Sequence, residues 1–149
     1  MAEPTDRDYV HRFVWTDLAT PDDIRAAEFY RQLFGWLDVP HVISGGTFRT
    51  LEHDGRAFAS LYRLAREQVE CGAPAHWIPY VSTPDVAATA AKAARLFGRI
   101  VVQPQHFPGL ARVCLIADPT GAILGLWQGE GPQHAASGWS PWATRGGNA

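Results

Sequence analysis

The sequence predicts an α+β fold, two tandem βαβββ modules whose curved mixed sheets enclose a cavity. Three observations predict it. First, "FVWTDLATPDDIRAAEFYRQLFGW" (13–36) and "HWIPYVSTPDVAATAAKAARLFGR" (76–99) carry nearly the same pattern. Thr20-Pro21-Asp22 and Thr83-Pro84-Asp85 lie 63 residues apart, as do Leu33-Phe34-Gly35 and Leu96-Phe97-Gly98. Ala27, Tyr30 and Phe34 fall on Ala90, Ala93 and Phe97 at the same shift. One fixed offset marks an internal repeat. Second, each copy passes from a β-branched run into apolar residues at helical spacing. Third, each is followed by three short runs parted by turn signals. A curved sheet cannot bury its concave face alone, so two copies pair around a cavity, within one chain or across a dimer.

Residues 1–10 are expected to form a loose arm. "RFVWTDLAT" is a strand. Thr20 is placed as the cap of the first helix, Pro21 suits its first turn, and Asp22 and Asp23 favour the positive end of its dipole. Ala27, Tyr30, Leu33 and Phe34 share one side of that helix, and Gly35 ends it. "WLDVPHVIS", "TFRTLEH" and "RAFASLYRLA" are strands, with "SGG" and "HDG" as turns. "REQVECGAPA" is a connector. In the second copy "HWIPYVS" is a strand, and Thr83 and Pro84 open a helix. Ala90, Ala93 and Phe97 mark its buried stripe, and Gly98 ends it. "RIVVQPQHF", "LARVCLIAD" and "AILGLWQ" are strands, the last two joined by "DPTG". Module one is thus 11–66 and module two 75–128, in one domain 11–128. The tail 129–149, rich in Gly, Pro and Ser, is expected to be flexible; its Trp139 and Trp142 suit docking on the body or on a partner.

The 149 residues carry 13 basic and 15 acidic side chains with no basic block, which argues against nucleic acid as a partner. No apolar run approaches the roughly 20 residues that span a bilayer. The polar start lacks the apolar core of a signal peptide, so a cytoplasmic setting is expected. Cys71 and Cys114 stand without a CxxC or Cys/His ladder and read as structural thiols. Six tryptophans are the oddity of the composition. Such rings fill cores or line pockets for flat ligands. No nucleophile elbow or phosphate loop is present.

The segments "WTDLATPDDIRAAEFYRQLFGW" and "ADPTGAILGLW", in this order and with the matched offset, resemble the vicinal oxygen chelate superfamily. This is the glyoxalase, bleomycin-resistance and ring-cleaving dioxygenase group, and the resemblance covers roughly residues 11–128. It implies the paired-module fold and often a homodimer. Its metal-using members take one His, Glu or Gln ligand from the first and last strand of each module, and the metal acts as a Lewis acid. The resemblance carries those positions onto Trp15 and Ile78 in the first strands. Counting four residues past the turn glycines Gly121 and Gly55 gives Gly125 and Ala59. None offers a metal-binding atom, and His76 near Ile78 has no carboxylate companion. No metal and no other cofactor is expected.

Strand alternation places Phe13, Trp15 and Asp17 on the concave face, with His76, Ile78 and Tyr80 from the repeat mate. Ala59 and Leu61 join them from one closing strand, and Ile123, Gly125 and Trp127 from the other. Ala59 and Gly125 are expected to leave room where an ion would sit. Phe13, Trp15, Ala59, Leu61, Ile78, Gly125 and Trp127 are the candidate ligand-binding residues. Asp17, His76 and Tyr80 are the candidate catalytic residues. Glu52, His53 and Asp54 read as a solvated hairpin tip and His106 as a loop residue. Three functions fit: binding of an aromatic or polyketide-like small molecule, metal-free acid–base catalysis (isomerase, dehydratase or cyclase), or a regulatory protein interaction.

Overall fold

A computed structural model describes residues 9–43 and 46–130 of the chain. The expected arm up to residue 8, the "SG" of the first turn and the tail with Trp139 and Trp142 lie outside the described residues. The elements run β1 (Phe13–Thr20), α1 (Asp23–Phe34), β2 (Leu37–Ile43), β3 (Gly46–His53) and β4 (Arg56–Arg63), then α2 (Arg66–Glu70). They continue β5 (His76–Ser82), α3 (Val86–Arg95), β6 (Arg99–Phe107), β7 (Ala111–Ala117) and β8 (Ile123–Gly129). The fold is α+β with the βαβββ order twice. The connector holds the short helix α2, and His106 lies within β6 rather than in a loop. Among the described residues no helix is long and apolar enough to cross a membrane.

Two compact units divide the chain: Thr16–Ile78 in one, and the described residues before Thr16 and after Ile78 in the other. Both boundaries cut a strand. The start of β1 belongs with module two, and the start of β5 with module one. In the Thr16–Ile78 unit the strand order is β2-β3-β4-β1. β2–β3 and β3–β4 are antiparallel, and β4–β1 is parallel. Leu18, Leu51, Ala59 and Leu61 pack under Ala27 of α1. In the other unit the order is β5-β8-β7-β6, with β5–β8 parallel and the rest antiparallel. Its core joins Val86 and Ala90 of α3 to Cys114 and Leu126. His11 N–H donates to the Ser82 carbonyl at 2.7 Å, tying the entry of β1 to this unit.

The helix ends correct the sequence reading. The caps are Asp22 and Asp85, two residues after the threonines. A capping oxygen must reach the backbone N–H two or three residues on. Asp22 accepts from Arg25 N–H at 3.0 Å, and Asp85 from Ala88 N–H at 2.9 Å. Thr20 Oγ1 instead accepts from Asp22 N–H at 3.3 Å, shaping the turn before the helix. Gly35 ends α1 in the left-handed region, φ 73°. α3 stops at Arg95, before Phe97, which takes φ 67° and is 89% exposed. Phe97 is therefore not part of the buried stripe.

Candidate functional site

Each sheet has a face turned away from its helix, and the register decides which residues occupy it. Directly opposed residues of a parallel pair point to the same side. In the Thr16–Ile78 unit Asp17 opposes Ser60 and Ala19 opposes Tyr62, whereas Ala59 and Leu61 oppose Thr16 and Leu18. Ala59 and Leu61 thus lie on the helix side, both fully buried in the core under α1. The expectation that they share a face with Asp17 is corrected. The cause is a register shift: Leu51 opposes Ala59, but Glu52 opposes Ala57. The extra residue, Phe58, makes the equivalent position five residues past Gly55 instead of four. β8 pairs with β7 without a break from Ile123 to Gly129, so the count to Gly125 stands. Ser60 is therefore the counterpart of Gly125, and Tyr62 of Trp127.

Ser60 and Tyr62 are the residues missed from the sequence. The alternation in "FASLYR" offers them as one face, but choosing between its two faces required the register. Asp17 is 8% exposed and accepts a hydrogen bond from Ser60 Oγ at 2.9 Å. Burial, and secondarily the negative charge of Asp17, push the Tyr62 phenol up to about 12. Ile78 is buried in this unit, and its carbonyl accepts from Thr16 Oγ1 at 3.3 Å. His76 is exposed at the start of β5 and its Nδ1 lies 2.8 Å from the Pro74 carbonyl. That contact satisfies one ring nitrogen locally.

The other unit brings four candidates together. Tyr80 opposes Gly125, and Ser82 opposes Trp127. Trp15 stacks on Trp127 with centroids 5.1 Å apart and planes 25° off parallel. Tyr80 meets Trp127 edge-on at 6.1 Å. All three rings are under 8% exposed. The ring of Tyr80 fills the space over Gly125: a Cβ there would lie 2.2 Å from Tyr80 Cδ1. The room expected at Gly125 is taken by that ring. Phe13, at the start of β1, is 59% exposed.

With the register corrected, the positions designated by the family resemblance are Trp15, Ser60, Ile78 and Gly125. An indole, a hydroxyl, an alkyl chain and a bare glycine do not fit a divalent cation, which takes imidazole, carboxylate or thiolate donors. Among the described residues no group of three or more His, Cys, Asp or Glu is placed to hold one. Cys114 is buried and its Sγ donates to the Val102 carbonyl at 3.2 Å, while Cys71 is exposed.

The two βαβββ repeats, each with a face of small and aromatic residues turned from its helix, define a class of paired-module proteins. Residues 12–126 match the Glyoxalase/Bleomycin resistance protein/Dioxygenase superfamily, and the chain belongs to it. It is 32% identical over 130 residues to the anthracycline biosynthesis protein DnrV of Streptomyces peucetius, covering 76% of this chain and 46% of that one. It is 34% identical over 116 residues to "Putative glyoxylase CFP32" of Mycobacterium bovis, covering 76% and 44%. The chain thus spans about half the length of these relatives. A methylmalonyl-CoA epimerase from Mycobacterium tuberculosis superposes with TM-score 0.61 at 18% identity, covering 83% of this chain and 91% of that one. At that identity the likeness shows the fold.

Proposed function

We propose that this protein is a metal-independent member of its superfamily that binds a flat aromatic or polyketide-like small molecule. In this reading residues 11–128 are one binding domain, working as a cytoplasmic homodimer. The observation that carries the proposal is the Trp15–Trp127 stack with Tyr80 edge-on, on the sheet face away from α3. Aromatic stacking is worth about 0.5–1.5 kcal/mol per pair beyond area burial. Both indoles are under 8% exposed, so a ligand ring joins by parting them. The naming of DnrV for anthracycline biosynthesis supports a polycyclic aromatic ligand. Titration with a soluble hydroxyanthraquinone, followed by tryptophan fluorescence, tests this. Saturable quenching that Trp127→Phe reduces is expected. Quenching that never saturates, or is unchanged by that substitution, rejects the site.

One observation favours a second reading, metal-free acid–base catalysis: the buried pair of Asp17 and Ser60, with Tyr62 in the field of the carboxylate. A buried carboxylate hydrogen-bonded to a hydroxyl can accept or return a proton. Asp17→Asn separates the readings. It abolishes turnover while leaving binding intact if the protein is an enzyme; if the protein only binds, the wild type shows no turnover and the substitution leaves binding unchanged.

A further inference from the structure

We propose that His41 is the catalytic partner of Asp17, the donor that holds a substrate's carbonyl oxygen while Asp17 works on the adjacent C–H; this rests on the acid–base reading above. Register places both groups on one face of the Thr16–Ile78 unit. Directly opposed residues of an antiparallel pair share a side of the sheet. Val39 opposes Thr50, and His41 opposes Phe48. Thr50 opposes Ser60, and Ser60 opposes Asp17. The face turned from α1 thus carries Val39, Thr50, Ser60 and Asp17 in one row across four strands. His41, Phe48 and Tyr62 lie in the next row. Leu51 and Ala59 take the opposite side, in the core under α1.

Each ionisable group meets a hydroxyl on a middle strand. Asp17 accepts from Ser60 Oγ at 2.9 Å, and His41 Nε2 lies 2.9 Å from Thr50 Oγ1. Phe48 stacks on the imidazole, with centroids 4.9 Å apart and planes 15° off parallel, and so fixes the plane of the ring. With the Thr50 hydroxyl donating to Nε2, the proton of the neutral imidazole sits on Nδ1. That nitrogen has no hydrogen-bond partner among the described residues. Neighbouring strands lie about 4.8 Å apart. Thr50 and Ser60 are one spacing apart and β1 and β2 three, so the ionisable ends stand about 5–14 Å apart. A base and a donor, each about 3 Å from its target atom, fit that span with a C–C=O group between them.

The Asp17 carboxylate takes the proton, the C–H pair becomes the C=C bond of an enolate, and the carbonyl π pair settles on oxygen under the His41 N–H. Return of a proton to carbon restores the ketone. Tyr62 on this face is pushed up to about 12 by burial and the charge of Asp17, so near neutral pH it donates hydrogen bonds and is not the base. Phe48 and Tyr62 suit an aromatic substrate. The class is a ketone whose acidic C–H adjoins a fused aromatic ring.

Deuterium exchange at C1 of 2-tetralone in D2O, followed by proton NMR, tests this. Wild type is expected to exceed the protein-free rate. His41→Ala should lose about 10²–10³-fold, the scale of one oxyanion donor, and added imidazole should restore part of it. His53→Gln, at the exposed hairpin tip, should match wild type. Exchange at the protein-free rate in wild type overturns both the acid–base reading and His41. Loss in Asp17→Asn but not in His41→Ala overturns His41 alone. A loss in His41→Ala that imidazole does not restore also overturns it, since the ring then acts only through the fold. A second measurement needs no variant. 2-Naphthol, a planar likeness of the enol, must move the His41 Nδ1 resonance of protein labelled with nitrogen-15 histidine. An unmoved resonance overturns the assignment.

Discussion

Replacing Gly125 with alanine tests the site geometry at a single atom. The added Cβ would lie 2.2, 2.4 and 2.5 Å from Cδ1, Cγ and Cε1 of Tyr80. Carbon atoms rest about 3.5–4.0 Å apart, so the ring must move by more than about 1 Å. Tyr80 is 6% exposed and held edge-on against Trp127, so it cannot move freely. Forcing such a shift costs about 1–3 kcal/mol. Tyr80→Ala alone leaves a cavity and costs about 3–5 kcal/mol. In the double variant the ring is absent and the new methyl meets open space. The two losses should therefore fall short of additivity by about 1–3 kcal/mol. Urea unfolding of the four proteins, followed by far-UV circular dichroism, reads this coupling. Additivity within about 0.5 kcal/mol would refute the placement of Tyr80 over Gly125.

Trp15→Ala removes one partner of the indole stack and should weaken hydroxyanthraquinone binding about tenfold or more, roughly 1.4 kcal/mol, read by calorimetry. Ser60→Ala strips a donor from the buried Asp17 carboxylate and should cost about 1.5–3 kcal/mol in urea unfolding. Tyr62 binds its proton more tightly folded than unfolded, up to about 12. Its stability contribution is complete below about pH 10 and is lost as pH rises toward 12. Tyr62→Phe should remove a phase near pH 12 from the phenolate absorbance titration. Asp23 behaves oppositely. Burial alone would raise its pKa, but Arg63 at 2.7 Å and Arg49 at 3.4 Å outweigh it and hold the carboxyl below its usual range. That contribution is present above about pH 4 and is lost as pH falls through the lowered pKa. Asp23→Asn should flatten the acid limb of a stability–pH curve.

The repeat was legible because a fixed offset of 63 residues survives in short local patterns. Turn and helix signals are local too, so the order of elements followed from them. The caps slipped by two residues because Thr and Asp both accept from backbone N–H groups, and only the geometry shows which one closes the helix. The shift at Leu51 and Glu52 was not legible. A bulge is set by pairing with a distant strand, and one added residue exchanges the two faces of β4. It hid Ser60 and Tyr62 and promoted Ala59 and Leu61. Phe97 misled for another reason. An apolar residue at helical spacing reads as core, yet the helix ends before it. His76 was placed by alternation, and it stands as the exposed first residue of β5.

Native mass spectra of untagged protein, purified from its own host without chelator, test the central claim most directly. An organic adduct of aromatic character and no stoichiometric divalent ion are expected. One divalent ion per chain would contradict the metal-independent reading, because Trp15, Ser60, Ile78 and Gly125 would then not be the positions that matter.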